Sequence, residues 1–182
     1  MNFYRKINNF AQRNKYAKYF VEIFGEYGLL IFLPSSLLYF SILFISFLRE
    51  YNDSLPEIIV QLILFSLYFI LPLIIAILLN KLLKFKRPFE KDNKIKKMIN
   101  IKEKYAFPSI HATFLSAITL IILLSWVGGF SWVFLVLTVL ISVARIIAGV
   151  HYVRDILFGY FITVFIQAFL IYITFFLSLH NI

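Results

Sequence analysis

Five long runs of uncharged, mostly apolar residues dominate this sequence of 182 residues and decide what the chain can fold into. The runs cover residues 27–48, 58–79, 107–127, 131–144 and 156–179. All except the run over 131–144 reach the roughly 20 residues that a helix needs to cross a hydrocarbon core of about 30 Å. Continuous apolar runs favour helices over the alternating strands of a membrane barrel. The sequence therefore predicts an all-α integral membrane bundle of about five transmembrane helices.

The composition excludes several other classes of protein. Hydrophobic residues make up 62% of the chain and aromatic residues 19%, which is too apolar for an ordinary soluble domain or a disordered chain. The absence of cysteine excludes disulfide scaffolds, thiolate zinc sites and cysteine nucleophiles. Neither a linker nor an internal repeat divides the sequence, so we expect a single domain over residues 1–182. Any chemistry must come from oxygen and nitrogen groups.

The first 24 residues have a different pattern, in which apolar residues recur at steps of three and four. This stripe consists of Phe3, Ile7, Phe10, Ala17, Val21 and Phe24. Basic residues fall off the stripe and Asn14 interrupts it, which is typical of an amphipathic helix that lies in the membrane interface. A helix that packs on a soluble face of the protein is the alternative.

The basic residues are unevenly divided between the two sides of the predicted bundle. If the chain crosses the membrane five times, seventeen of the eighteen Lys and Arg residues lie on one side. Only Arg49 lies on the other side, which also carries the loops around Asn52 and Gly128-Gly129. The positive-inside rule would make the basic side cytoplasmic. That rule weakens if the charges bind a phosphate group, so the charge count leaves the orientation open. The net charge of +9 fits an anionic partner, and phospholipid headgroups are the natural choice beside a membrane.

Three separate strings of residues bring polar groups to this basic side. These residues are Lys81, Lys84, Lys86 and Arg87 in the first string, Ser109, Ile110 and His111 in the second, and Arg145, His151 and Asp155 in the third. The i, i+4 spacing of His151 and Asp155 would let a carboxylate hold one imidazole N–H, which leaves the other nitrogen as a base or nucleophile. This convergence is the strongest functional signal in the sequence.

The remaining residues of this set suit an anion. His111 begins a predicted span, where free backbone N–H groups and the helix dipole favour negative charge, and Ser109 adds a hydroxyl. Arg87 and Arg145 supply planar groups that match phosphate oxygens. The alternative is structural: the third motif would only anchor a helix end through ion pairs, and the loop lysines would form a solvated surface that attracts lipids.

Together the three strings resemble the signature of the type 2 phosphatidic acid phosphatase superfamily, which also includes vanadium haloperoxidases. The family pattern is Lys, six residues, Arg-Pro; then Pro-Ser-Gly-His; then Ser-Arg, five residues, His, three residues, Asp. Residues of this chain match the pattern in type, order and spacing: Arg87-Pro88, Pro108-Ser109 with His111, and Arg145 with His151 and Asp155. The resemblance covers about residues 81–155 and the surrounding spans.

Three positions depart from the family pattern. Asn80 stands where the family has lysine, so Lys81, one residue later, or Lys84 would take that role. Ile110 replaces glycine, which keeps the backbone N–H for phosphate binding but removes freedom for positive φ. Ala144 replaces serine and removes one hydroxyl contact.

The resemblance implies a two-step hydrolysis that needs no metal or other cofactor. His151, oriented by Asp155, would attack phosphorus, and His111 would protonate the leaving oxygen and then activate water. The phosphate oxygens would be bound by Arg87, Arg145, Ser109, Lys81 and the backbone N–H of Ile110. The acids on this side do not form the clustered carboxylates of a two-metal site. Because the two histidines must differ in protonation, we expect a bell-shaped pH dependence.

The sequence thus predicts a membrane lipid phosphatase that acts on a lipid phosphate or diphosphate. Family members commonly act on phosphatidic acid, phosphatidylglycerophosphate, undecaprenyl diphosphate or lipid A phosphates. Bacterial members usually face away from the cytoplasm, so the resemblance implies the inner membrane with the active site on its extracytoplasmic face, against the charge count. The alternatives are a scaffold that binds a lipid phosphate without catalysis, and a small transporter, although no charged residue lies at mid-depth in a span.

Overall fold

Helices form the whole architecture that the computed structural model describes, which covers residues 1–50, 55–101, 103–125 and 130–179. In chain order these helices are α1 (Asn2–Arg13), α2 (Lys15–Phe20), a π-helical segment (Val21–Glu26), α3 (Gly28–Glu50), α4 (Leu55–Leu83), α5 (Pro88–Lys91), α6 (Ile110–Leu124), α7 (Ser131–Ile147) and α8 (Val153–Leu179). No strand occurs in the described ranges, so the all-α prediction is confirmed. The loops predicted around Asn52 and Gly128-Gly129 lie outside the described residues.

Each of the five apolar runs corresponds to one long helix, but the helices differ in length. The stretch Ile58–Lys91, which contains most of α4, and Val153–Phe176 in α8 are long and apolar enough to cross a membrane. A third candidate joins Lys15–Glu26 to Gly28–Ile42 through a bend of 49°. Helices α6 and α7 are apolar but have only 15 and 17 residues. The described helices thus give two or three candidate spans, and the predicted number of about five is not confirmed.

Helix α6 lies at the centre of the bundle, where it contacts α4, α7 and α8. Its buried side chains form a core with Phe32 of α3 and with Phe134 and Ile141 of α7. Pairs of hydroxyl groups cross between the helices: Thr119 to Thr138 at 2.7 Å and Ser116 to Thr163 at 2.8 Å. Such polar pairs hold helices together where apolar side chains face lipid as well as protein.

The N-terminal segment consists of two helices and a π-helical segment where the sequence predicted one amphipathic helix. Asn14 is extended, and its side-chain oxygen accepts hydrogen bonds from the backbone N–H groups of Tyr16 and Ala17, which begins a new helix. In α1 the side chains of Phe3 and Phe10 are about 60% exposed, while Asn8 and Ala11 are fully buried against the protein. Phe3 and Phe10 of the predicted stripe thus agree with an interfacial helix, whereas Val21 of the same stripe is buried against the protein. The placement of this segment in a membrane remains a prediction.

The basic connection between α4 and α6 folds back over the turn between α7 and α8. Backbone hydrogen bonds join Phe89 to Gly149 and Met98 to Ala148. Asn8 of α1 fastens the same region, because its side chain donates to the carbonyl groups of Lys96 and Ile147. These contacts bring the three predicted motifs to one end of the bundle.

Candidate active site

His151 lies in the tight turn that joins α7 to α8. The turn needs a glycine at position 149, where φ is +76° and an added Cβ would lie 2.6 Å from a side-chain carbon of Ile95. The His151 side chain is almost completely buried, and its Nδ1 lies 3.0 Å from the carbonyl oxygen of Ala106. Because a carbonyl oxygen can only accept, Nδ1 carries the proton and Nε2 keeps its lone pair.

Asp155 is in the first turn of α8, one turn after His151, as its spacing predicted. Its Oδ2 accepts a hydrogen bond of 2.8 Å from the backbone N–H of Tyr152 and lies 3.7 Å from Nδ1 of His151. The carboxylate therefore acts on the imidazole as a nearby negative charge, while the carbonyl group of Ala106 is the closer acceptor. Asp155 is fully buried, and its Oδ1 has no hydrogen-bond partner.

Two donors face Nε2 of His151. The hydroxyl of Ser109 lies at 3.5 Å and Nη1 of Arg87 at 3.4 Å. Burial, together with the positive charges of Arg145 and Arg87, holds the pKa of His151 well below its ordinary value. The neutral ring thus persists to mildly acidic pH, which is the state that a nucleophile requires.

Ser109 caps the N-terminus of α6, where its hydroxyl accepts a hydrogen bond from the N–H of Ala112 at 3.3 Å. Its own N–H donates to the carbonyl group of Asp155 at 3.0 Å, which ties the second motif to the third. Helix α8 can approach this closely because position 159 is glycine: an added Cβ would lie 3.0 Å from the Ser109 carbonyl oxygen. Ile110, the first residue of α6, is half-buried beside this cap.

Arg87 is buried, and most of its donors already have partners. Nη1 donates to the carbonyl oxygen of Val150 at 3.0 Å, and Nη2 donates to those of Glu103 and Tyr105 at 2.8 and 3.0 Å. Only Nε lacks a hydrogen-bond partner. Arg87 therefore joins the connection between α4 and α6 to the turn between α7 and α8, and in this state little of its guanidinium group is open to a phosphate.

Arg145 is also buried but is largely unpaired. Its Nη1 makes one long hydrogen bond of 3.4 Å to the carbonyl oxygen of Gly25, and its Nε and Nη2 have no partner. A buried guanidinium with unpaired N–H groups is costly unless an anion binds there. Arg145 is thus the better suited of the two predicted arginines to bind a phosphate oxygen.

His111 is the second residue of α6, in its first turn, and is partly exposed. Its Nδ1 lies 3.3 Å from Oε1 of Glu103, a residue that the sequence reasoning did not select. Burial alone would raise the pKa of Glu103, but the charges of His111, Arg145 and Arg87 and a backbone hydrogen bond hold it below its ordinary value. An ionised carboxylate therefore lies beside His111.

The lysine of the family pattern has no equivalent within the site. Lys81 is exposed in the last turn of α4, and no hydrogen bond or ion pair joins it to a described site residue. Asn80 is buried instead, and its side-chain amide donates to the carbonyl groups of Tyr105 and Pro108 at 3.2 and 3.0 Å. The amide thus holds the backbone that leads into Ser109.

Sequence reasoning missed three residues that shape the site: Glu103, Asn80 and Gly149. Gly149 follows the end of α7, and a glycine just after a helix is a recognisable end signal. Asn80 was noted only as a departure from the family lysine, and nothing in its pattern predicts its hydrogen bonds. Glu103 lies in a loop of mixed charge, so its contact with His111 could not be predicted from spacing. Among the described residues, no group of three or more His, Asp and Glu side chains is arranged to hold a metal ion.

Comparison with protein families identifies the family that carries this arrangement of site residues. A family model of the PAP2 superfamily matches residues 61–178, which is well over half of the chain and includes all three motifs. The chain belongs to the PAP2 superfamily. The predicted resemblance to the type 2 phosphatidic acid phosphatases is therefore confirmed. Searches among curated proteins and solved structures give no match.

Members of the PAP2 superfamily are generally phosphatases that act on phosphate esters, often those of lipids. Membership therefore supports a hydrolase role for this chain. The apolar helices, taken with the PAP2 family, also indicate a membrane protein. The roles predicted for the individual site residues are not tested by this comparison.

Proposed function

We propose that this PAP2 protein is a membrane lipid phosphatase that releases phosphate from a lipid phosphate or diphosphate through a phosphohistidine. The observation that carries the proposal is the state of His151: its proton is fixed on Nδ1 by Ala106, and its Nε2 faces Ser109 and Arg87. The unpaired N–H groups of Arg145 supply the positive charge that an incoming phosphate needs.

The reaction has two steps in which the two histidines exchange roles. In the first, Nε2 of His151 attacks the terminal phosphorus, the bond from that phosphorus to the leaving oxygen breaks, and His111 gives a proton to that oxygen. The leaving oxygen belongs to the lipid alcohol in a monophosphate and to the inner phosphate in a diphosphate. In the second, His111 takes a proton from water, the oxygen attacks phosphorus, and the bond from phosphorus to nitrogen breaks. Phosphate leaves, and both rings return to their starting states. Arg145, Ser109 and the N–H groups at the start of α6, including that of Ile110, stabilise the charge on the equatorial oxygens.

The substrate is proposed to be a membrane lipid. The site is at the end of helices whose outer faces carry exposed apolar side chains, such as Leu30 at 68% and Phe165 at 63%. A lipid with its tails along these faces would present its headgroup near His111. Phosphatidic acid, phosphatidylglycerophosphate, undecaprenyl diphosphate and lipid A phosphates are the candidates.

Phosphate release by purified protein in detergent tests the proposal. The chain and its His151→Ala and His111→Ala variants would be assayed with a panel of lipid phosphates and diphosphates in EDTA. The third histidine, His180, lies outside the motifs and the described residues, so His180→Ala is the matched control. We expect release by the wild type and the control alone. Binding of a lipid phosphate without release would instead favour a scaffold, and neither would favour a transporter.

The site is proposed to face the extracytoplasmic side of the inner membrane. Because the chain has no cysteine, a single cysteine can report its side. Lys97 is exposed in the basic connection, so Lys97→Cys in intact cells should react with an impermeant maleimide. Protection in intact cells, with reaction only after lysis, would place the site in the cytoplasm.

A further inference from the structure

Glu103 and His111 form a pair on the edge of the site that the proposed mechanism does not yet use. Oε1 of Glu103 lies 3.3 Å from Nδ1 of His111, and the side chains are 26% and 18% exposed. No described residue forms a hydrogen bond with Nε2 of His111. One ring nitrogen thus has a carboxylate beside it, and the other is open.

Arg87 is the other possible partner for this carboxylate, but it is the weaker one. The nearest contact, from Nη2 of Arg87 to Oε2 of Glu103, is 3.7 Å. That Nη2 already donates to two backbone carbonyl groups, one of them from Glu103 itself. Oε2 is left without a hydrogen bond. The closer and less occupied neighbour of the carboxylate is His111.

The groups around His111 explain why a negative charge from Glu103 matters for this ring. Burial of the ring is the strongest influence against a positive charge on it, and Arg145, His151 and Arg87 act in the same direction. Glu103 is the group that favours a positive ring. A general acid must hold a proton until the leaving oxygen needs it, so a carboxylate at this position offsets the arginines.

We propose that Glu103 is a positioning residue that keeps a proton on Nδ1 of His111 and so reserves Nε2 for the proton transfers of the reaction. The catalytic consequence of this assignment rests on the proposed function, whereas the position of the proton on His111 does not. The Glu103 and His111 pair would then parallel the contact of His151 with Ala106 and Asp155.

The chemistry of both steps agrees with this assignment. The protonated ring carries hydrogen on both nitrogens, and loss of the Nε2 proton to the lipid oxygen leaves the neutral ring with its proton on Nδ1. That is the tautomer which an acceptor at Nδ1 stabilises. Its free Nε2 then takes the proton from water in the second step. The contact of 3.3 Å would shorten when substrate binds, as such contacts often do.

The tautomer of His111 tests the proposal without any need for activity. Histidine labelled with ¹⁵N gives signals from only three rings, each with two nitrogens, those of His111, His151 and His180, and His151→Ala and His180→Ala assign them. In the neutral wild-type ring we expect the proton on Nδ1, and in Glu103→Ala we expect it to move mainly to Nε2. A wild-type proton on Nε2, or no change in the variant, would overturn the proposal.

Leaving-group dependence tests the catalytic consequence. Phenyl phosphate has a poorer leaving group than 4-nitrophenyl phosphate and needs more help from a general acid. We expect Glu103→Ala to lower kcat/KM for phenyl phosphate by about tenfold or more beyond its effect on 4-nitrophenyl phosphate. Equal losses for both esters would indicate a merely structural role and contradict the proposal.

Two further variants keep the test decisive. Glu103→Gln preserves the shape of the side chain and its backbone contacts, so it carries both measurements if Glu103→Ala does not fold. We expect intermediate effects from it. Glu22 is exposed and outside the site, so Glu22→Gln removes the same charge and should change neither measurement. If the wild type cleaves no ester or lipid, the proposed function fails, while the tautomer still decides the role of Glu103.

Discussion

At the scale of single residues, the site contains contacts that the sequence predicts and contacts that it cannot. The spacing of His151 and Asp155 predicted that the carboxylate would hold an imidazole N–H, whereas the two groups lie 3.7 Å apart and form no hydrogen bond. The closer partner is the carbonyl group of Ala106, 45 residues away, and a backbone acceptor leaves no mark in the sequence. The sequence also does not distinguish the roles of the two arginines, Arg87 and Arg145. Only the fold shows that Arg87 holds the backbone and that Arg145 is largely unpaired.

This difference predicts opposite effects on stability when each arginine is replaced by methionine. Arg87→Met would leave the carbonyl groups of Val150 and Glu103 without a donor, while that of Tyr105 keeps only Asn80, and would lower the free energy of unfolding by more than about 2 kcal/mol. Arg145→Met removes a poorly paired buried charge, so the free energy of unfolding should stay the same or rise. Phosphate release should fall by about 100-fold or more in Arg145→Met. Denaturation in detergent and the phosphate assay check both effects, and a large loss of stability in Arg145→Met would contradict the account.

The state of His151 also predicts the acidic side of the pH profile. Protonation of Nε2 would abolish attack, and burial lowers the pKa of His151 well below its ordinary value of 6.5. Activity should therefore persist as the pH falls through 6.5 and decrease only at lower pH. The dependence of kcat/KM on pH measures this directly. An acidic limb centred near or above pH 6.5 would mean that His151 is more exposed to water or is not the nucleophile.

At the scale of elements, the N-terminal helix and the basic connection form one unit over the turn that carries His151. Sequence periodicity predicted an interfacial amphipathic helix for this segment, and the exposed Phe3 and Phe10 agree with it, whereas Val21 of the same stripe is buried. It did not predict that α1 would pack through Asn8, because a polar residue in an amphipathic pattern is normally assigned to solvent. Burial of an amide requires hydrogen-bond partners from other segments, and these come from residues 88 and 139 positions away.

The hydrogen bonds of Asn8 predict that α1, which contributes no residue to the site, stabilises the turn that carries His151. Asn8→Ala removes four hydrogen bonds. The side-chain nitrogen of Asn8 donates to the carbonyl groups of Lys96 and Ile147, and its side-chain oxygen accepts from the N–H of Lys96 and the amide of Gln12. We expect a loss of about 2–4 kcal/mol in the free energy of unfolding and a fall in phosphate release. The neighbouring Asn9 is exposed, so Asn9→Ala is the matched control and should change little. Equal stability of the two variants would show that α1 does not support the turn.

At the scale of the whole molecule, hydropathy correctly predicted an all-α architecture, with one apolar helix for each of the five apolar runs. It could not settle how many cross a membrane, because α6 and α7 are short and α3 joins its predecessor through a bend. Counting the predicted spans along the chain placed all three motifs at one end of the bundle, because each motif follows an even number of spans. Their assembly into one site depends on the close packing of α8 on α6 at Gly159, which a single small residue permits and no periodicity indicates.

The central claim, that His151 takes the phosphoryl group from a lipid, is tested most directly by trapping the intermediate. Wild-type protein would be mixed with a ³²P-labelled lipid phosphate, quenched rapidly in alkali, and mapped by mass spectrometry. The account predicts acid-labile label on His151, its absence in His151→Ala, and its accumulation in His111→Ala if loss of His111 slows water attack more than phosphoryl transfer. Label on any other residue, or turnover in His151→Ala, would contradict the account.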